Sequence, residues 1–450
     1  VLAVSSLAAF LAFLDVTIVN IAFPAIATAF PAASPADLSW IFTAYNVTFA
    51  ALLVPAGRLA DLWGRRRVFL VGLALFGIAS AACAAAPTVG LLVAGRTAQA
   101  VAAALLAPSS LALLLPAFPP ERRGFAIGTW GAMGGIAAAT GPALGGLVVD
   151  ELGWRWVFLL NLPVVALTLV AATIVMAESR DRSARLPDPV GVGLLGAGVA
   201  LLAWGIVGGE TSWTAPDTLA RLVGGIAALA VFAWRIRRVP TPLVEPALFR
   251  VPAFRVAIVG YLVFSAAFYA LLLANVLYLT GVWHYGVLAA GLAVTPGPLM
   301  AATASTVGGR LSDRFGARAV LVPGALLFAS GCALFATGMG DDPAYLTHFL
   351  PATLLTGTGV GAVYSGLGVA TVAALPANRY ATGSAIGTCA RQIGAVLGIS
   401  ALLSGLAAGS PFHVAWTLMA LAAALTALAG LAIGRVRAAP ARPVATAPAT

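Results

Sequence analysis

Residues 57–67 read GRLADLWGRRR, and residues 309–319 read GRLSDRFGARA. Both stretches open Gly-Arg-Leu (Gly57-Arg58, Gly309-Arg310). Both then place an aspartate (Asp61, Asp313), a glycine (Gly64, Gly316) and an arginine (Arg66, Arg318) at matching distances, with further arginines at Arg65 and Arg314. Each copy lies between two long apolar runs. A basic segment written twice in an otherwise apolar chain indicates a membrane protein built from two similar halves.

Composition agrees. Hydrophobic residues make up 61% of the 450 residues and charged residues 9%, against about 25% charged in a soluble domain. Apolar runs of about 20 residues are the length of membrane-spanning helices. The 49 glycines and 28 prolines would weaken soluble helices, but in membrane helices they permit close approach and tolerated kinks. A net charge of +10 does not point to nucleic acid, because the arginines cluster at the ends of alternate apolar runs, where they act as a topology signal. Cys83, Cys332 and Cys389 stand singly in apolar runs without disulfide or metal spacing.

Fourteen apolar segments are expected, at about 3–27, 38–56, 68–86, 90–116, 124–148, 156–177, 189–209, 218–235, 255–280, 286–308, 319–338, 345–374, 382–408 and 411–434. The first holds Asp15, Asn20 and Pro24 and reads as a spanning helix, not a cleaved leader. With this layout 21 arginines fall on one side and only Arg155 and Arg221 on the other, which puts the rich side and both chain ends in the cytoplasm. An even span count follows; twelve remains open if 189–235 is not a pair. The expected organisation is an all-α polytopic protein with a six-helix bundle (1–178), accessory helices 7 and 8 (179–238) and a cytoplasmic linker (239–254). A second six-helix bundle (255–434) and a disordered tail (435–450) complete it. Similar halves facing one another suit alternating access around a site near mid-membrane. The prolines of the linker argue against one helix, and its Leu, Phe and Val residues suggest a segment lying at the inner surface.

Asp15 is the only acid well inside a span. A carboxylate there costs about 2.5–3.5 kcal/mol on insertion scales, so it is not expected to face lipid. It suits a group that takes up and releases a proton; the alternative is a packing role with Thr17 or Asn20. Arg96, with Gln99 one turn on, needs an acid, a carbonyl or a wet cavity as partner, or snorkels to the outer interface. Arg391 and Gln392 form a comparable pair. Gly131 and Gly135, and Gly141 and Gly145, are spaced four apart around Pro142 and Gly146, which marks a closely packed, bendable fifth helix. The glycines of the duplicated segment are expected to form tight turns. Their charges could pair across moving helices and release when these separate. Asn20, Tyr45, Gln99, Tyr269, Arg391 and Gln392 are cavity-lining candidates.

Taken together, these motifs resemble the major facilitator superfamily, and within it the fourteen-span drug:proton antiporters. Gly57–Arg67 resembles the superfamily signature between helices two and three, and Gly309–Arg318 its echo in the second half. Leu14-Asp15-Val16-Thr17-Ile18-Val19-Asn20 with Pro24 is similar to the first-helix signature. Arg96 matches the fourth-helix arginine, Gly134 to Gly146 the helix-five antiporter motif, and Arg391-Gln392-Ile393-Gly394 a stretch frequent in helix thirteen. The resemblance implies efflux of hydrophobic or amphipathic compounds in exchange for protons. Asp15 and Arg96 would serve coupling, the helix-five motif antiport, and Asp61 a latch between bundles. The proton gradient would replace any cofactor. No enzymatic activity, metal or nucleic-acid partner is implied, and the chain is expected to act as a monomer among membrane lipids. An importer or uniporter on the same fold is the alternative. In one departure, no acid besides Asp15 lies deep in a span, and the second half has none.

Overall fold

The computed structural model describes residues 1–119, 123–180, 188–208, 212–372, 375 and 380–433. The surroundings of Gly131, the side chain of Asp313, Arg379 and the tail 435–450 lie outside that description. The first half comprises α1 (Leu2–Ala29), α2 (Pro35–Trp63), α3 (Arg65–Ala85), α4 (Val89–Leu114), α5 (Arg123–Leu152) and α6 (Trp156–Leu159 with Asn161–Val175). Then come α7 (Pro189–Gly208) and α8 (Pro216–Arg235). The second half comprises α9 (Pro252–Gly281), α10 (Val287–Val294 with Pro296–Phe315), α11 (Arg318–Gly338), α12 (Leu350–Val372), α13 (Tyr380–Ala407) and α14 (Phe412–Leu431). Among the described residues, thirteen helices are long and apolar enough to cross a bilayer. Leu350–Val372 coincides with the remaining expected segment.

The duplicated segments are more helical than expected. Residues 57–63 complete α2 and α3 begins at Arg65, so the break is Gly64 alone; in the second half it is Gly316 and Ala317. Gly64 (φ 113°) and Gly316 (φ 90°) adopt the left-handed backbone that disfavours a Cβ. Gly57 and Gly309 lie inside helices and do not turn the chain. Charged residues can continue a helix beyond the apolar core, because backbone hydrogen bonding does not depend on hydropathy.

Within the first half α1 packs on α5, α2 on α4 and α3 on α4; within the second, α9 packs on α13, α10 on α12 and α11 on both α12 and α14. The halves meet along two seams, α2 with α13 and α5 with α10. Both seams pair the second helix of one half with the fifth of the other, as a twofold-related duplication requires. At the end opposite the arginine segments, one buried apolar cluster runs from Ile18, Phe23, Ile26 and Val149 into Val276, Leu279, Ala290 and Leu402. Nearer the arginine segments each half has a core of its own, Val4, Phe69, Leu113 and Met176 in one and Leu248, Phe254, Leu375 and Ile386 in the other, while a third cluster joins Val47 to Val396 and Leu243 across the halves.

The α7–α8 hairpin is closed by glycines. A Cβ on Gly225 would lie 3.0 Å from the Gly198 carbonyl oxygen, so the two backbones nearly touch. Arg235 Nη2 donates to Asp188 Oδ1 at 2.9 Å and ties the hairpin ends together. α7 packs on both α2 and α13 through Val47, Leu195, Val199 and Val396, while α8 is largely peripheral. Residues 236–251 carry a single 3-10 turn, Pro246–Arg250. Leu243 and Leu248 are buried in the apolar cores. Two apolar residues of this linker are therefore used in packing against the helices.

Candidate functional site

Asp15 sits at the middle of α1 and is fully buried, and Arg96 on α4 is 1% exposed. The two meet: Arg96 Nη1 donates to Asp15 Oδ2 at 2.5 Å. The guanidinium also donates to Gln99 Oε1 (2.8 Å) and to the Ile41 carbonyl (3.3 Å), and its Cζ lies 4.3 Å from the centre of the Tyr45 ring. The other carboxylate oxygen of Asp15 accepts from Gln99 Nε2 (3.1 Å) and Asn161 Nδ2 (3.2 Å). Ser80 Oγ accepts from the same two amides at 2.8 and 3.3 Å. Five helices of one half thus converge on one ion pair: α1, α2, α3, α4 and α6. Arg96 does not snorkel, and Asp15 is not held by the partners its own helix offered. Thr17 donates to the carbonyls of Phe13, Leu14 and Ala137, and Asn20 to that of Val16.

Small residues make this convergence sterically open. A Cβ on Gly95 would lie 2.6 Å from Cys83 Sγ, so α4 closes on α3 one residue before Arg96. Cys83 in turn lies 3.5 Å from Gln99 Oε1. Beyond Asp15, α5 presents Gly141 to Thr17 and Gly145 to Ile18, where a Cβ would come within 2.2 and 2.7 Å. Its other edge meets α10: a Cβ on Gly146 would lie 2.7 Å from the Leu288 Cα, and one on Gly291 would lie 2.2 Å from the Pro142 carbonyl oxygen. Gly135 faces Ala302 less tightly, at 3.2 Å. The fifth helix is therefore clamped between the ion-pair helix and the opposite half.

Ser80, Asn161 and Cys83 were not singled out from the sequence. Serine and cysteine are too common in membrane helices to signal a site. Asn161, an amide inside an apolar run, was the one available clue.

In the duplicated segment Arg65 Nε donates to Asp61 Oδ1 at 2.9 Å. The exposed N-terminus of α3 is capped by Glu178, whose carboxylate accepts from the backbone N–H of Arg66 (3.1 Å) and Arg67 (3.2 Å). An acid at a helix N-terminus offsets unsatisfied donors and the helix dipole. Gly64 is required here as well, since a Cβ would come within 2.7 Å of that carboxylate. Arg66 Nη2 also donates to the Thr173 carbonyl (2.6 Å), tying α3 to the end of α6. Arg58 and Arg310 show no ion pair among the described residues.

In the second half Gln392 Nε2 donates to Asn46 Oδ1 at 3.0 Å, across the seam between the halves. Arg391, on the same turn, lies 5.9 Å from the Tyr364 ring centre. Tyr269, on α9, has its ring 5.1 Å from that of Phe268.

The family model described as Major Facilitator Superfamily matches residues 5–256 and 257–449, both halves of the chain. The chain belongs to the Major Facilitator Superfamily. Among curated members of this superfamily's drug-resistance branch, it is 34% identical over 406 residues to the multidrug resistance protein Stp of Mycobacterium tuberculosis, covering 90% of this chain and 75% of that protein. It is 36% identical over 403 residues to the puromycin resistance protein pur8 of Streptomyces alboniger, covering 88% and 79%. The fold matches a solved POT family transporter in complex with 5-aminolevulinic acid, at a TM-score of 0.69 and 16% identity, over 95% of this chain and 94% of that one. As a Major Facilitator Superfamily member it is a polytopic secondary transporter, and its two seams are where the halves of such a fold move against each other.

Proposed function

We propose that the protein exports hydrophobic or amphipathic small molecules, drugs or metabolites, in exchange for protons by alternating access. The observation that carries this reading is the Asp15–Arg96 pair, buried at mid-helix and tied to five helices. A buried ion pair contributes little net stability, but removing one charge from it is costly, so protonation of Asp15 changes the balance of the whole half. With Asp15 neutral, the guanidinium keeps Gln99, Ile41 and the face of Tyr45 and loses its counter-charge. Tyr45 lies on α2, the helix that meets α13 at the seam between the halves, so the redistributed charge bears on that seam. Movement of α1 reaches the α5–α10 seam through Gly141 and Gly145 on one edge of α5 and Gly146 on the other.

In this reading the two bundles span 1–178 and 255–434, the chain ends and arginine segments face the cytoplasm, and a monomer suffices. The apolar cluster that joins the halves at the end opposite the arginine segments would close that side during the cycle. Asp61, expected to latch the two bundles together, is paired here with Arg65 of its own half; with Glu178, the pair would hold α2, α3 and α6 in register while the halves rock. Proteoliposomes with an imposed proton gradient test the reading against a panel of hydrophobic compounds. Uphill movement of at least one compound, abolished by a protonophore and indifferent to sodium, is expected. Flux that ignores the proton gradient would overturn it.

A further inference from the structure

Among the described residues, three charged side chains lie seven or more residues from the ends of their spans: Asp15, Arg96 and Arg391. Asp15 and Arg96 cancel each other. Arg391 does not share that arrangement. It sits near the middle of α13 and makes no hydrogen bond or ion pair among the described residues, and its Nε is buried without a partner. Its neighbour Gln392 turns its amide Nε2 to Asn46 across the seam, and no hydrogen bond joins Gln392 to Arg391 among the described residues. Around the guanidinium are tyrosine rings. Tyr364 lies 5.9 Å away, held by a 2.9 Å hydrogen bond between its hydroxyl and Ser265 Oγ. Tyr261 stacks on Tyr364 at 6.0 Å and 24°. The stack fits against α13 because Gly387, one turn before Arg391, has no side chain; a Cβ there would lie 3.0 Å from the Tyr261 ring.

A guanidinium cannot shed its charge, and at this depth it needs either a partner or the water that the partial exposure of Arg391 admits and a ligand can displace. Arg96 shows what a satisfied arginine looks like in this protein: one carboxylate, one amide oxygen, one carbonyl and one ring. Arg391 has only the ring. We propose that the missing partner is the transported molecule, and that this molecule is an aromatic anion, a carboxylate, sulfonate or phenolate whose charge pairs with Arg391 while its ring joins the Tyr261–Tyr364 stack. Charge-assisted pairing supplies the selectivity and stacking supplies the tolerance for varied ring systems. An organic cation meets the opposite field, since no deep carboxylate other than the occupied Asp15 is available among the described residues. This inference rests on the export reading for its biological use, but not for its binding test.

Three probes on one ring separate the terms: naphthalene-2-sulfonate, its neutral sulfonamide, and 2-naphthyltrimethylammonium, with binding to the purified full chain read by calorimetry. The sulfonate is expected to bind at least about tenfold tighter than the sulfonamide, and the ammonium more weakly than both. Arg391→Gln is expected to remove the preference and leave sulfonamide affinity within about twofold, and Arg391→Lys to restore part of it. Sulfonamide binding also reports that the variants are folded. Inorganic sulfate, a charge without a ring, is expected to bind more weakly than the sulfonate. Equal binding of sulfonate and sulfonamide, a preference that survives Arg391→Gln, no binding of the sulfonate, or sulfate matching it would each overturn the proposal. Vesicle flux distinguishes the two levels. Proton-driven movement of the sulfonamide without any sulfonate preference sinks the anion subsite and leaves export standing. Arg391-dependent sulfonate binding without flux of any probe does the reverse.

Discussion

Cancelling the buried charges one at a time and then together separates a structural ion pair from a coupling one. In Asp15→Asn the new amide keeps one oxygen for Gln99 and Asn161 and turns its NH2 toward Arg96, so donor faces donor where Oδ2 accepted at 2.5 Å. That leaves a guanidinium of 1% exposure without a counter-charge, a change that costs about 3–5 kcal/mol. Arg96→Gln should fall at the lower end of that range, because Asp15 retains two amide donors. The double variant removes both charges and lets two neutral amides bond each other, so all but about 1 kcal/mol of the loss returns, and the double-mutant cycle should give a coupling energy of about 5–7 kcal/mol, close to the sum of the two single losses. Thermal melting in detergent reads the stability side, and proton-driven flux in proteoliposomes reads the functional side. Both single variants should melt early, the double near the native protein, and all three should lose coupling. A double variant that still converts a proton gradient into uphill flux would refute the assignment of Asp15 and Arg96 to coupling. Single variants that melt like the native chain would refute the buried pair itself.

Two further expectations follow from packing and charge. Gly141→Ala places a methyl group 2.2 Å from Thr17 Oγ1 and 2.9 Å from Thr17 Cβ, an overpacking cost of about 1–3 kcal/mol. Transport should slow as α5 is pushed from α1, and adding Thr17→Ala should restore part of both melting temperature and rate. At the hairpin base, the Asp188 carboxyl is held below its ordinary value, chiefly by the hydrogen bond from Arg235 and against the opposing effect of its burial. A depressed carboxylate contributes stability that is complete above about pH 4, the unfolded-state value, and is lost as pH falls through the folded one. Melting followed between neutral and acid pH should therefore lose a stabilising component in the native protein that Asp188→Asn lacks.

The fold was legible because spanning helices in lipid must satisfy every backbone group internally, which leaves apolar length and arginine placement as readable marks. What hydropathy could not read was where helix ends and apolarity ends differ: residues 57–63 are polar enough to look like a loop and still complete α2. The break in α10 at Thr295, before Pro296, was likewise hidden inside one apolar run. At the site, Asp15 and Arg96 announce themselves because isolated charges in lipid are expensive. That they touch depends on which faces of α1 and α4 meet, and that is set by Gly95, Gly141 and Gly145, whose role is visible only once their neighbours are known. Asn161 and Ser80 complete the arrangement with side chains too ordinary to have been picked out.

The α7–α8 hairpin breaks the twofold likeness of the molecule on one flank. α7 rests on α2 and α13 together, and the contact at Gly196 against Ala51 is thin, with a Cβ 3.4 Å from the alanine methyl. Prising the halves apart along that flank would strip Val199 and Val396 of protein contact, whereas the α5–α10 flank carries no such wedge. In the proposed export cycle this would set the rocking axis beside α7, like the spine of a book, with displacement growing toward the opposite margin. A lipid-soluble cargo would meet the widest gap there, on the leaf edge away from the hairpin.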